Sequence, residues 1–223
     1  MLDRRLALLP LLALSQACAD ASGRFQAFED RGLALDSGGQ GGEASMPSAG
    51  AGGAGEECLP PAPGVVRGLA LLALETDTSP GFPILFLGRV ETPELEGRTA
   101  VEYVYKALDA QDRTTQVGDE LKVGPYAIGD DGRFDAPTDR SRLPGSANAI
   151  LPGVEIDSQL TLHGTICGVA EFYCGTVTGT VYFPVQGPTT GQFGLTLLGA
   201  AGEIPAQPRY GCDEDALAPE LEP

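Results

Sequence analysis

Two neighbouring segments decide the fold, Leu160-Thr-Leu-His-Gly-Thr-Ile-Cys167 and Cys174-Gly-Thr-Val-Thr-Gly-Thr-Val-Tyr-Phe183. In the first segment Leu, Gly and Ile alternate with Thr and His, and in the second Gly and Val alternate with Thr. A period of two places one set of side chains on each face of a β-strand. Because only a short connection separates the two segments, they predict a β-hairpin with an apolar inner face and a Thr-rich outer face.

The side-chain sizes predict how the two strands pair. If Cys167 lies opposite Cys174, His163 faces Thr178 on the outer face, and large inner residues oppose small ones. A slip of one residue would turn the apolar side chains to the outer face. Since this pairing brings two thiols side by side, it predicts a Cys167–Cys174 disulfide.

The same pattern of short strands recurs through residues 64–215. Apolar stretches separated by Gly, Pro and Asp cover residues 65–74, 84–90, 99–108, 121–128, 133–135, 156–167, 173–183 and 192–198. The stretch 99–108 also fits a helical face, but the alternation of Val101, Tyr103 and Tyr105 favours a strand. Frequent turns together with Val, Thr and Tyr predict an all-β fold, an antiparallel β-sandwich of about seven to nine short strands.

The composition argues against several classes of function. The 223 residues include 14 Lys and Arg against 31 Asp and Glu, a formal net charge of −17. Such a chain lacks the basic field that a phosphate backbone requires, so we expect no nucleic-acid partner. A single His makes a His-rich metal site implausible, and we expect no metal or other cofactor.

The first 17 residues are typical of a secretory signal peptide. Arg4 and Arg5 precede the apolar residues 6–14, and small residues follow. As a helix this apolar run would be about 13 Å long, less than half the thickness of the hydrocarbon core of a bilayer. We therefore expect this segment to direct export and not to span the membrane.

The end of this segment, Leu14-Ser-Gln-Ala-Cys18, resembles the lipobox of bacterial lipoproteins. In that family the Cys receives a diacylglyceryl group and becomes the first residue of the mature chain. The resemblance implies lipidation of Cys18 and attachment to a membrane. Ser15 stands where the family usually has Leu, and Ser15 with Ala17 also fits the ordinary signal peptidase, which would release a soluble protein. Ala19 replaces the Asp that retains some lipoproteins in the inner membrane, so the outer membrane is the expected location.

The number of cysteines agrees with a lipid on one of them. The chain has five Cys, and lipidation of Cys18 leaves four, an even number for an oxidising compartment. Four thiols permit three pairings. We predict Cys167–Cys174 together with Cys58–Cys212, which would close a loop of about 150 residues.

Residues 18–63 predict a disordered tether between the lipid and the β-domain. Within residues 37–55 there are eight Gly, four Ala and three Ser. Such a composition cannot bury enough apolar area to offset the loss of backbone entropy. A disordered acidic tail is predicted for residues 216–223, which leaves residues 64–215 as the β-domain.

Two loops are candidates for ligand contacts. Residues 135–153 contain two Pro-Gly turns and few apolar residues, which predicts a long surface loop. The tip between the hairpin strands carries Glu171, Phe172 and Tyr173. Phe172 either contacts a ligand or folds back onto its own sheet. No residue is predicted to be catalytic.

The remaining polar residues are interpreted structurally. His163 is predicted to be solvated on the outer face, because the sequence implies no nucleophile or carboxylate beside it. Asp131-Gly132 predicts a hairpin turn. We do not expect a calcium site with Asp130 and Asp135, because their spacing is not that of the helix–loop–helix calcium motif.

The run Leu162-x-Gly-x-Ile-Cys167, followed by Cys174-Gly-x-Val-x-Gly179, resembles exported bacterial lipoproteins, a resemblance that implies no particular activity. The sequence thus predicts a binding or interaction module on a lipid-anchored stalk. Its expected partner is an envelope protein or polysaccharide, although the lack of Trp weakens the case for sugar recognition. The alternative is an envelope hydrolase that uses carboxylates such as Asp130, Asp131 or Glu171.

Overall fold

The computed structural model describes residues 58–220, which are almost entirely β-strand and turn. The predicted signal peptide, Cys18, the tether up to residue 57 and residues 221–223 lie outside the described residues. No helix in the described part is long and apolar enough to cross a membrane. The strands are β1 (Arg67–Thr76), β2 (Ile84–Glu91), β3 (Glu94–Leu95), β4 (Arg98–Leu108), β5 (Gln116–Ala127), β6 (Arg133–Pro137), β7 (Ser141–Leu143), β8 (Ile156–Thr165), β9 (Phe172–Phe183) and β10 (Gly187–Leu197).

All ten strands belong to one curled antiparallel sheet, so the predicted all-β antiparallel fold is confirmed. The order across the sheet is β5, β4, β2, β1, β10, β9, β8 and β6, while β3 also pairs with β4 and β7 with β8. The curl brings the two edges towards each other. The Tyr126 hydroxyl of β5 donates a hydrogen bond of 2.9 Å to the Pro137 carbonyl of β6.

The inner face of the curled sheet forms the main core. Nine of the ten strands contribute buried side chains to it, among them Leu72, Val101, Leu162, Val177 and Phe193. A second apolar cluster lies on the opposite face of β1 and β2, where Ile204 and Tyr210 of the C-terminal segment cover the buried side chains Leu71, Ala73 and Leu85. The continuous apolar run of β1 is therefore explained by burial on both faces.

The hairpin of β8 and β9 has the two faces that the sequence predicts. Leu162 and Val177 are buried in the core, and Thr176 and Thr178 are exposed on the outer face. The predicted strand at residues 99–108 is also confirmed, since β4 pairs with β2 on one side and with β5 on the other.

The predicted pairing register of this hairpin is wrong by two residues. His163 lies opposite Thr176, and Gly164 lies opposite Gly175. The ring of Phe193 packs within 3 Å of where a Cβ atom would stand on either glycine, so the glycine pair makes room for that ring. A shift of two residues leaves every side chain on its original face, which is why the alternation alone could not distinguish the two registers.

The predicted disulfide pairing is also wrong, although all four predicted cysteines form disulfides. Cys58 bonds to Cys167, and Cys174 bonds to Cys212. The reason is that β8 ends at Thr165 and the chain then leaves the hairpin, so that the amide of Gly168 donates to the carbonyl of Leu59. Cys167 therefore meets the N-terminal segment, while Cys174 remains within β9 and faces the C-terminal segment.

The folded unit is longer at both ends than predicted. At its start the Thr99 hydroxyl donates a hydrogen bond of 2.7 Å to the Pro61 carbonyl, so residues 58–63 belong to the domain and not to the tether. At its end Ala216 and Ala218 are buried, and the Ala218 amide donates to the Pro208 carbonyl. The predicted disordered tail is thus wrong for residues 216–219, because their backbone bonds and small side chains pack onto the sheet.

The stretch 135–153 is a surface loop only in part. It completes β6, forms β7 and then a 3-10 turn at Gly145–Ala147. Asn148 is 3% exposed, and its side chain bonds to the backbone of Ile150, Leu151 and Val154. The predicted turn at Asp131-Gly132 is confirmed, since the Gly129 amide donates to the Arg133 carbonyl across it.

Candidate functional site

The strand directions give the sheet two ends with different contents. The disulfide end carries the N-terminal segment from Cys58, both disulfides, and the connections at residues 128–132 and 166–171. The opposite end, which we call the groove end after the groove described below, carries the connections at residues 77–83, 109–115, 138–155 and 184–186. Consecutive antiparallel strands reverse direction, so each connection can be assigned to one end from the order of the strands.

The predicted contact residues Glu171, Phe172 and Tyr173 lie at the disulfide end, and two of them are not available to a ligand. Tyr173 is 5% exposed, and its hydroxyl accepts a hydrogen bond from the Ala170 amide. Phe172 is half-buried, with the guanidinium of Arg209 4.2 Å from the centre of its ring. Phe172 thus folds back onto its own domain, and only Glu171 is exposed.

The acidic candidates form no site. Asp131 is exposed on the β5–β6 turn and pairs with Arg133 at 3.6 Å, while its Oδ1 accepts the Arg133 amide. Among the described residues no group of three or more His, Cys, Asp or Glu side chains could hold a metal ion. Asp130, Asp131 and Glu171 are also absent from the lining of the groove described below.

His163 makes contacts that the sequence interpretation missed. Its Nδ1 lies 2.6 Å from Oδ1 of Asp135, and its Nε2 lies 2.8 Å from the Thr178 hydroxyl. Asp135 is the β6 residue directly opposite His163, so the missing signal was the pairing of β6 with β8. The prediction that no carboxylate lies beside His163 is therefore wrong, whereas Thr178 was expected near it from the predicted register.

The chain from Asp135 through His163 to Thr178 has the order of a carboxylate, base and nucleophile, but its surroundings do not support catalysis. A transition state for acyl transfer needs N–H donors aimed at the developing oxyanion. Thr178 lies in the middle of β9, which has strand partners on both sides, so the backbone N–H groups around it serve the sheet. The three side chains link β6, β8 and β9 on the outer face.

A groove of about 590 Å³ opens at the groove end, between three of the connections. It is lined by Phe82, Asp109, Ala110, Gln111, Arg113, Ser146, Asn148, Ala149, Pro152, Gly153, Pro219 and Glu220. Its volume falls within the range of about 300–1,000 Å³ that is usual for small-molecule sites. Five of these residues, Ser146, Asn148, Ala149, Pro152 and Gly153, belong to the predicted surface loop 135–153, whereas the predicted contacts Glu171, Phe172 and Tyr173 do not line the groove. The remaining walls come from segments far apart in the chain.

Hydrogen bonds hold the connection at residues 109–115 in a fixed shape. The Ala110 amide donates to the Ser146 carbonyl, which joins this connection to the opposite wall of the groove. Asp112 accepts hydrogen bonds from the Thr115 hydroxyl and from the amides of Thr115 and Thr114, which lower the pKa of its carboxyl to about 2. The carboxylate therefore stays ionised and keeps the turn closed over the ordinary pH range.

Arg113 is the cation of the groove. Its backbone has φ of 54°, a left-handed conformation that non-glycine residues adopt at a cost of about 1–2 kcal/mol. Its Nη1 donates a hydrogen bond of 2.6 Å to the Pro219 carbonyl, and burial lowers the pKa of its guanidinium. No carboxylate of the described residues lies within ion-pair distance of Arg113.

Phe82 is the aromatic residue of the groove. Its side chain is 49% exposed, and the connection that carries it closes with a hydrogen bond from the Phe82 amide to the Ser79 carbonyl. A half-exposed aromatic ring beside acidic, amide and guanidinium side chains provides both an apolar contact and polar groups for a ligand. The groove is the candidate binding site.

A second charged cluster, near β7 and β8, has a structural explanation. Asp157 accepts two hydrogen bonds from Arg140, at 2.8 and 2.9 Å, and a third from Arg142. The hydrogen bonds of Arg140 hold the pKa of the Asp157 carboxyl below its ordinary value. Arg140 also lies 4.1 Å from the ring centre of Tyr182, so this cluster fastens β7 and β8 to the end of β9.

No protein-family model, curated protein or solved structure gives a significant match to this chain. Its function is therefore argued from the sequence and from the geometry of the groove.

Proposed function

We propose that this protein is a lipoprotein of the bacterial cell envelope that is anchored through lipid on Cys18 and displays the groove as a binding site. The observation that carries the proposal is the position of the groove. It lies at the end of the sheet opposite to the end where the N-terminal segment enters the domain.

The Cys58–Cys167 disulfide supports attachment of the tether at the disulfide end of the domain. Cys58 is bonded to Cys167 in the β8–β9 connection, so the chain that leads from Cys18 joins the domain at the disulfide end. From there β9 alone, with 12 residues, extends for about 36 Å towards the groove end. A tether from residue 18 would thus be attached at the end of the domain remote from the groove and would leave the groove free to meet a ligand.

The disulfides support export. The two described disulfides join cysteines that are 109 and 38 residues apart in the sequence. Such bonds persist in oxidising compartments. The lipobox-like residues before Cys18 then favour retention on a membrane, and Ala19 favours the outer membrane, over release of a soluble protein. A triacylated Cys holds a chain firmly, because each buried methylene contributes about 0.8 kcal/mol.

The anchor is tested by mass spectrometry of the chain recovered from membrane fractions. We expect an acylated N-terminus at Cys18 in the outer membrane and loss of the chain from all membranes in Cys18→Ser. An unmodified mature chain in the soluble fraction would contradict the anchor without affecting the binding site.

The binding site is tested by placing a photo-crosslinking amino acid at Phe82 in living cells. The matched control is the same substitution at Val169, which is 66% exposed at the disulfide end. We expect crosslinked envelope material from position 82 and much less from position 169. Equal labelling from both positions would refute a specific role of the groove.

A further inference from the structure

We infer that the groove binds a neutral oligosaccharide, an assignment of ligand class that rests on the proposed binding function. The ring of Phe82 would stack on the apolar face of one sugar ring, and the side chains of Asp109, Gln111 and Arg113 would bond to its hydroxyl groups.

The polar side chains of the groove retain the bonding capacity that a sugar needs. Asp109 uses Oδ1 to accept a hydrogen bond from the Gln111 amide, while its Oδ2 accepts none from the other described residues. Gln111 is exposed, and Arg113 uses one N–H group of the five in its guanidinium on the Pro219 carbonyl. Planar carboxylate, amide and guanidinium groups can each bond to two neighbouring hydroxyls, and they stand here on a connection whose shape is already fixed.

The charge of the groove favours a neutral ligand. Asp109 and Glu220 place two carboxylates in the lining against the single cation Arg113. The whole chain carries a net charge of −17. An acidic polymer would be repelled at long range by this field, whereas a neutral sugar is not affected.

The groove has a single large apolar side chain, which argues for a sugar over a protein partner. The centre of a stable protein interface is built from several clustered aromatic or aliphatic side chains and is depleted of charge. In this groove Phe82 is the aromatic side chain, the other apolar lining residues are Ala, Pro and Gly, and charged and amide groups complete the lining. One ring with polar neighbours suits the alternation of apolar faces and hydroxyl edges in a pyranose.

The experiment is a titration of the full chain, isotopically labelled and purified in detergent, followed by NMR. The probes are cellotetraose, mannotetraose and chitotetraose as neutral sugars, and tetragalacturonate as the acidic counterpart. We expect saturable shifts confined to the segments that line the groove, residues 77–83, 109–115, 146–153 and 219–220, with at least one neutral probe, and none with tetragalacturonate. Phe82→Ala and Gln111→Ala should each weaken that binding, Phe82→Ala by roughly tenfold.

The control variant is Phe183→Ala, which removes a ring of equal exposure, 50%, at the same end but outside the groove. It should leave the affinity unchanged. The assignment is overturned if no neutral probe binds, if tetragalacturonate binds more tightly, or if Phe82→Ala has no more effect than Phe183→Ala. Crosslinking of a single protein from position 82 would also overturn it while leaving the proposed binding function intact, and failure of both experiments would remove that function as well.

Discussion

The two disulfides should contribute different and additive amounts to stability. The bond from Cys58 to Cys167 closes 109 residues, and the bond from Cys174 to Cys212 closes 38. In the chain-entropy description, loops of these lengths stabilise the fold by about 4.8 and about 3.9 kcal/mol. Because the two loops follow each other along the chain and do not overlap, we expect the effects of removing them to add.

The test uses paired Cys→Ala substitutions in a Cys18→Ser background, with urea unfolding followed by circular dichroism. Cys58→Ala/Cys167→Ala should lose more stability than Cys174→Ala/Cys212→Ala, by about 1 kcal/mol. Neither variant should show free thiols after denaturation, since each removes one complete bond. Two reactive thiols in Cys58→Ala/Cys167→Ala, or the reverse order of stabilities, would refute the pairing or the loop argument.

Three further predictions concern single side chains. The Tyr103 hydroxyl is buried without a partner among the described residues, so Tyr103→Phe should raise the free energy of unfolding by about 1–3 kcal/mol in the urea assay. The control Tyr173→Phe loses hydrogen bonds and should lower the free energy of unfolding by about 1 kcal/mol in the same assay. Gly164→Ala should destabilise the domain by about 1–3 kcal/mol because its Cβ would meet an aromatic ring, while Gly187→Ala, with open space around it, should leave the urea midpoint nearly unchanged. The Asp157 carboxyl has a lowered pKa in the fold, so its stabilising effect is present above its ordinary value of 3.8 and is lost as the pH falls through the folded value. Thermal unfolding from pH 6 to pH 2 should therefore show a steeper loss of stability below about pH 4 in the unmodified chain than in Asp157→Asn, and parallel curves would contradict this.

The sequence was sufficient for the eight longer strands and for the faces of the β8–β9 hairpin, because an alternation with period two is visible in a single chain, but it did not predict the short strands β3 and β7. It was insufficient for the register of β8 and β9, since registers that differ by two residues preserve both faces and only the ring of Phe193 over Gly164 and Gly175 distinguishes them. The disulfide pairing depended on that register and on the paths of both terminal segments, which carry no periodic signal.

The candidate site was harder to predict than the fold for a related reason. Phe82 and Arg113 come from two connections that the sheet order brings together, Pro219 comes from the C-terminal segment, and no local motif marks any of them. The hydrogen bond from Arg113 to Pro219 spans 106 residues. The predicted loop 135–153 contributes five residues to the groove, but Glu171, Phe172 and Tyr173 lie at the opposite end of the domain.

The position of Cys58 has a mechanical consequence. Tension between a ligand bound in the groove and an anchor at Cys18 would stretch the domain between the groove and residue 58, along the direction of the strands. The force would enter through the Cys58–Cys167 bond and then act on many backbone hydrogen bonds of β8 and β9 in parallel, a shear geometry that resists rupture better than sequential unzipping. When single molecules are stretched from residue 58, the rupture force should be high. Reduction of the Cys58–Cys167 bond should shift the load to the short N-terminal segment, and the rupture force should then be lower.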